Sequence, residues 1–169
     1  KIRIYVLKFD YFAALNENKK MRVLSEYINN DFKPFLLTEP VSEVQDFFAE
    51  STYSHFPVMD NESYLGSISV NDSETFEFGK TLADYRYAFE GFFVRENMIW
   101  LDVLEVFARN NANVVPILND KNKYIGYYEI TDVIKFLNET PFLKETGGII
   151  VVEKLTIDYS MSQIAQIVE

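Results

Sequence analysis

One stretch of this chain is written twice, and that limits the possible fold more than any other feature. The first copy runs Phe56-Pro57-Val58-Met59-Asp60 into a polar turn and on to Tyr64-Leu65-Gly66, with Asp72 six residues after the glycine. The second runs Val115-Pro116-Ile117-Leu118-Asn119 into a turn and on to Tyr124-Ile125-Gly126, with Asp132 six residues further. Pro57 and Pro116 are 59 apart, while Gly66 and Gly126, like Asp72 and Asp132, are 60 apart; one extra residue in the second turn accounts for the difference. At the offset of 59, Val44 also matches Val103, Phe48 matches Phe107 and Ala49 matches Ala108. A unit this long exceeds a solenoid repeat and reads as a duplicated small domain.

Both copies predict the same order of elements. Phe35-Leu36-Leu37 and Phe92-Phe93-Val94 are extended. Apolar residues near the helical period follow, Val44, Phe47 and Phe48 in one copy and Val103, Leu104, Val106 and Phe107 in the other. Pro40 places the first of these helices over Val41 to Glu50. Two short strands around an Asn/Asp turn come next, and a second helix starts near the Asp. Between the copies, Thr75 to Gly91 reads as a packed connector, with a helix capped by Thr81 that sets Leu82, Tyr85 and Phe89 on one face. Thr140-Pro141 ends the last helix of the second copy, expected over Thr131 to Asn138.

The flanks differ from the repeats. Ile2, Ile4 and Val6 alternate as in a strand, Tyr11 to Leu15 is briefly helical, and Met21 to Ile28 reads as a short helix. Residues 1–20 are either an upstream extension or leader, or a native first strand. Ile149-Ile150-Val151-Val152 is the apolar run of a buried strand. Ser160 and Gln163 form a capping box ahead of a helix with Ile164, Ile167 and Val168 on one face. One strand and one helix do not make a domain, so the tail is expected to be part of a third one whose strand needs a partner.

Composition narrows the function. At 169 residues and 48% hydrophobic, the chain can bury a real core. It has no cysteine and one histidine, which excludes thiolate chemistry, disulfides and Cys or His clusters for metals. A formal charge of −10 argues against nucleic acid, where binding rests on neutralising phosphates. No apolar run reaches the length of a membrane span, and a reducing, cytoplasmic location is expected. No catalytic motif is visible, so a non-enzymatic role is expected.

The Pro-then-Gly-then-Asp order, twice at matched offsets, resembles the CBS domain pair, or Bateman module. The resemblance divides the chain into an N-terminal extension (1–20), a first CBS repeat with its connector (21–91), a second CBS repeat (92–143) and a partial ACT-like domain (144–169). This order is similar to acetoin-utilisation-type proteins. It implies an α+β fold of two tandem βαββα repeats packed as a pseudo-symmetric pair, plus a C-terminal strand-helix fragment. It also implies clefts between the repeats that hold adenosine-containing ligands such as AMP, ADP, ATP or S-adenosylmethionine, marked by Gly-x-x-Ser/Thr-x-x-Asp. Gly66, Ser69 and Asp72 match that motif; the second copy has Gly126 and Asp132 but Glu129 in the hydroxyl position.

The residues make the same case chemically. A carboxylate such as Asp72 or Asp132 accepts two hydrogen bonds from a ribose diol. Strands around Pro57 and Pro116 can hold a planar base, His55 could meet a phosphate, and Tyr128, beside Tyr127, could stack on a base. Glu129 beside a phosphate would repel it. The two Asp residues could instead be helix N-caps, and His55 and the tyrosines could be structural. Two functions follow: a regulatory module sensing an adenine nucleotide or adenosyl ligand, or a structural dimerisation module with empty clefts. A homodimer is expected in either case, because Phe47, Phe48, Phe107 and the connector aromatics offer apolar surface.

Overall fold

The first amphipathic helix forms where the apolar spacing places it. α1 spans Val41–Glu50 and turns Val41, Val44 and Phe48 inward, each at most 5% exposed. Burying side chains of this size is worth about 1.5–3 kcal/mol apiece. Pro40 stands just ahead of the first helical residue, where its missing N–H costs no helical hydrogen bond. Its counterpart α3, Trp100–Arg109, buries Val103 and Phe107 in the same way. Phe48 and Phe107 therefore serve their own repeats and are not available as dimer surface, contrary to the sequence expectation. Among the described residues the most exposed large aromatics are Phe78 and Tyr87 of the connector, 84% and 82% exposed.

The computed structural model describes residues 24–139 and two further strands, β1 (Ile4–Leu7) and β8 (Ile149–Val152). The first repeat contains β2 (Phe35–Leu36), α1, β3 (His55–Asp60), β4 (Ser63–Ser69) and α2 (Val70–Glu74). The second contains β5 (Val94–Arg95), α3, β6 (Val114–Leu118), β7 (Tyr124–Glu129) and α4 (Ile130–Glu139). Each repeat forms a three-stranded sheet, in orders β2-β3-β4 and β5-β6-β7, with the outer pair parallel and the hairpin pair antiparallel. Both hairpins carry an irregularity at the same place, Val58/Met59 and Ile117/Leu118. The extra residue of the second turn is absorbed by Asn119, whose side-chain oxygen accepts from the backbone N–H of Lys121 and Lys123 at 2.9 and 3.0 Å.

The chain ahead of each repeat crosses to the sheet of the other. Asn29 exchanges backbone hydrogen bonds with Tyr127 of β7, and Glu90 exchanges them with Ser67 of β4. These crossings explain the paired glycines. A Cβ on Gly66 would lie 3.0 Å from the Glu90 carbonyl oxygen, and one on Gly126 would lie 2.7 Å from that of Asn29. Both glycines also hold φ near +145°, at +148° and +143°, where other residues are strained. The connector turns through a kinked 3-10 stretch, Leu82–Ala88, held at its start by the Thr81–Asp84 capping box. Tyr85 stacks on Phe76 at 3.8 Å.

Residues 22–136 form one compact unit, and 1–21 with 137–169 form another. In the second, β1 and β8 pair antiparallel, with Ile4 opposite Val152 and Leu7 opposite Ile149. The strand Ile149–Val152, expected to need a partner, is paired with β1. Of the stretch read as a helix over Met21 to Ile28, Leu24–Tyr27 forms a 3-10 turn, residues 21–23 lie outside the described residues, and Tyr27 meets Phe136 of α4 edge-on. The readings at Tyr11–Leu15, Thr140-Pro141 and Ser160–Val168 lie outside the described residues.

Candidate functional site

At the end of β4 the backbone turns directly into α2. Ser69 is the N-cap: its Oγ accepts from the Asp72 backbone N–H at 3.0 Å and donates to Asp72 Oδ2 at 2.7 Å. Asp72 is therefore the third helical residue and not the cap, because the shorter Ser69 side chain takes that place. Its carboxylate is half-buried at the junction, held through one oxygen by Ser69.

Strand register fixes the neighbours. His55 lies opposite Ser69 and Pro57 opposite Ser67, so these four share one face of the sheet. Pro57 is tolerated in an inner strand because β2 pairs only with Val58 and Met59, beyond it. His55 is 7% exposed, with Nδ1 2.9 Å from Ser54 Oγ and Nε2 3.1 Å from Glu90 Oε1, and its ring meets Phe92 edge-on. Both ring nitrogens are thus engaged within the chain, and a carboxylate stands where the sequence reading placed a phosphate. Glu90 was missed because it belongs to the connector. Its only sequence signal is its place a few residues ahead of β5, matching Asn29 ahead of β2.

The equivalent junction in the second repeat is built differently. Glu129 replaces Ser69, and its Oε1 accepts from Tyr53 Oη at 2.7 Å and from Asn29 Nδ2 at 3.1 Å. Burial first, then hydrogen bonds to Tyr127 and Glu129, push the Tyr53 hydroxyl well above the ordinary phenol range. Asp132 is again third in its helix and is engaged by Lys135 Nζ at 2.7 Å. Pro116 lies opposite Tyr127 and Val114 opposite Glu129, on the face toward this junction. Tyr128 is on the other face, opposite Val115 and 1% exposed, where burial and then Glu96 raise its hydroxyl to about 12. It is not brought to the cleft.

Between the junctions lies the seam of the pair. Ser54 and Asn113, which match at the offset of 59, bond to each other three times: Ser54 N–H and Oγ both donate to Asn113 Oδ1, and Asn113 N–H donates to Ser54 Oγ, at 2.8–3.0 Å. Contact between equivalent residues places them at the pseudo-twofold axis. One residue earlier, Tyr53 matches Ala112. A separate groove of about 530 Å³, lined by Phe32, Leu36, Glu39 and Phe47 among others, contains none of these groups. Among the described residues no cluster of acidic and histidine side chains is arranged for a metal ion, and no helix is long and apolar enough to cross a membrane.

Two sheets of one topology, exchanging entry segments about a pseudo-twofold axis, define a tandem ligand-binding or interaction module. The family model for the CBS domain matches residues 24–72 and 91–139, more than half of the chain, and the protein belongs to that family. An uncharacterised protein of Methanocaldococcus jannaschii is 29% identical over 98 residues, which cover 57% of this chain and only 33% of that protein. A CBS domain pair/ACT domain protein from Thermotoga maritima superposes with a TM-score of 0.60 at 16% identity, covering 69% of this chain and 96% of the other. CBSX2, solved with AMP, gives 0.56 at 16% identity over 69% and 96% of the two chains. The CBS domain of a bacterial CNNM/CorC family Mg2+ transporter, solved with ATP, gives 0.54 at 16% over 68% and 86%. At such identities the likeness carries the fold.

Proposed function

We propose that the CBS pair is a regulatory module that takes an adenine nucleotide or adenosyl ligand in the first cleft, at the junction of β4 and α2. The observation that carries this reading is the half-exposed Asp72 carboxylate, positioned by Ser69, which lies opposite His55 in the sheet. Asp72 would accept from the ribose diol, and a ligand phosphate would compete with Glu90 for His55. The similar folds solved with AMP and with ATP support an adenosine-containing ligand. Ser69, Asp72, His55 and Glu90 include no lysine or arginine, which ranks AMP and S-adenosylmethionine above ADP and ATP, since each added phosphate brings more charge toward Glu90. The role is sensing, not catalysis. Residues 144–169 would belong to a third, ACT-like domain, and the setting would be the cytoplasm.

The test is thermal. A ligand that binds only the folded state at 100 times its Kd adds about 2.7 kcal/mol of stability. AMP or S-adenosylmethionine should therefore raise Tm in a concentration-dependent way. Unchanged melting with saturating AMP, ADP, ATP and S-adenosylmethionine would reject the reading. A structural dimerisation module with empty clefts would then be favoured by the carboxylates at both junctions and by the exposed Phe78 and Tyr87. A homodimer is proposed under both readings; a monomeric mass by light scattering across micromolar concentrations would count against it.

A further inference from the structure

We infer that Tyr53 is the second cleft's own occupant, filling it in place of a ligand, so that the pair has one ligand site and not two. The inference deepens the reading above, because it takes the first cleft as the site in use. Its ground is a set of exchanges at equivalent positions: Tyr53 for Ala112, Tyr127 for Ser67, and Glu129 for Ser69. Each puts the larger side chain at the second junction, and there they meet. Tyr53 Oη lies 2.7 Å from Glu129 Oε1 and 3.4 Å from Tyr127 Oη, and the Tyr53 ring stacks on Phe56 at 5.5 Å with planes 10° apart. A flat ring backed by an aromatic face, with a hydroxyl given to a carboxylate, makes the two contacts that a nucleoside would bring. The bond to Glu129 has the length of a charge-assisted one. Asn29 donates to the same carboxylate oxygen and ties the crossing segment into the clasp. The Asp132–Lys135 pair, with the lysine side chain 65% exposed, is too weak to close the cleft by itself.

The test is a count of sites, with AMP as the probe. By calorimetry the unmodified chain should bind one equivalent, and Tyr53→Ala/Glu129→Ser should bind two. Tyr53→Phe, which keeps the ring, should still bind one. If the unmodified chain binds none and the double variant binds one, the clasp stands and the first-cleft reading fails. Two equivalents in the unmodified chain, or no gain in the double variant, overturns the inference. Should the double variant not fold, a ligand-free measurement decides. Tyr53→Phe, Glu129→Leu and their combination form a cycle of folding equilibria, and a coupling of about tenfold or more is expected for a hydrogen bond to a charged group. Additive effects would overturn the inference.

Discussion

Where the first junction has two serines and an alanine, the second has a glutamate and two tyrosines, yet the frames around them match closely. Both hairpins bend at the same step, both glycines hold φ near +145°, and both sheets receive the entry segment of the other repeat. The comparison teaches that the duplicated frame is set by backbone geometry, while the two junctions are made different by a few side chains. Shape limits the glycines; under the proposed function, size and charge at residues 53, 67, 69 and their equivalents would decide what can enter.

The frame itself should break unequally. Gly126→Ala is expected to cost most, at least about 3 kcal/mol, because the new Cβ would lie 2.5 Å from Ile28 Cγ2 and 2.7 Å from the Asn29 carbonyl oxygen, at a φ of +143°. Gly66→Ala should cost less, about 1–3 kcal/mol, since its nearest contacts are at 3.0 Å. Denaturant melts of the two variants check the order; equal losses would mean that the two crossings are not differently packed.

A subtler pair sharpens the comparison. Tyr64 and Tyr124 are equivalent, but Tyr64 Oη lies 2.7 Å from the Phe92 carbonyl oxygen and 3.2 Å from Ser67 Oγ, whereas the buried Tyr124 Oη has no hydrogen-bond partner among the described residues. The second repeat has Tyr127 in place of Ser67, so the nearby hydroxyl is missing. Tyr64→Phe should destabilise by about 1–2 kcal/mol, and Tyr124→Phe should be neutral or slightly stabilising, because it removes a hydroxyl that was buried without a bond. A loss of similar size in both would contradict the difference in their surroundings.

Much of this frame was legible in the sequence because it depends on local signals. Proline and apolar spacing gave α1 at Val41–Glu50, and the glycine spacing gave the equivalence of β4 and β7. Long-range pairing was not legible: Ile4–Leu7 and Ile149–Val152 both read as strands, but period-two alternation does not name a partner. The cleft was half legible. Asp72 and Ser69 stand together as the motif implied, while Tyr128 faces away because adjacent strand residues point to opposite faces. Glu90 escaped notice because it reaches His55 from the connector. The match of Tyr53 with Ala112 was readable from the offset of 59, but its meaning depended on seeing Glu129 across the seam.

The difference between the clefts is tested most directly by titrating AMP into Asp72→Ala and Asp132→Ala and following the heat. Both aspartates occupy the third position of their helices, so each variant removes a carboxylate from the equivalent place, from Ser69 in one repeat and from Lys135 in the other. Asp72→Ala should weaken binding at least tenfold, about 1.4 kcal/mol or more, and Asp132→Ala should leave it within twofold of the unmodified protein. Loss of binding with Asp132→Ala and not with Asp72→Ala, or two equal sites in the unmodified protein, would contradict the account.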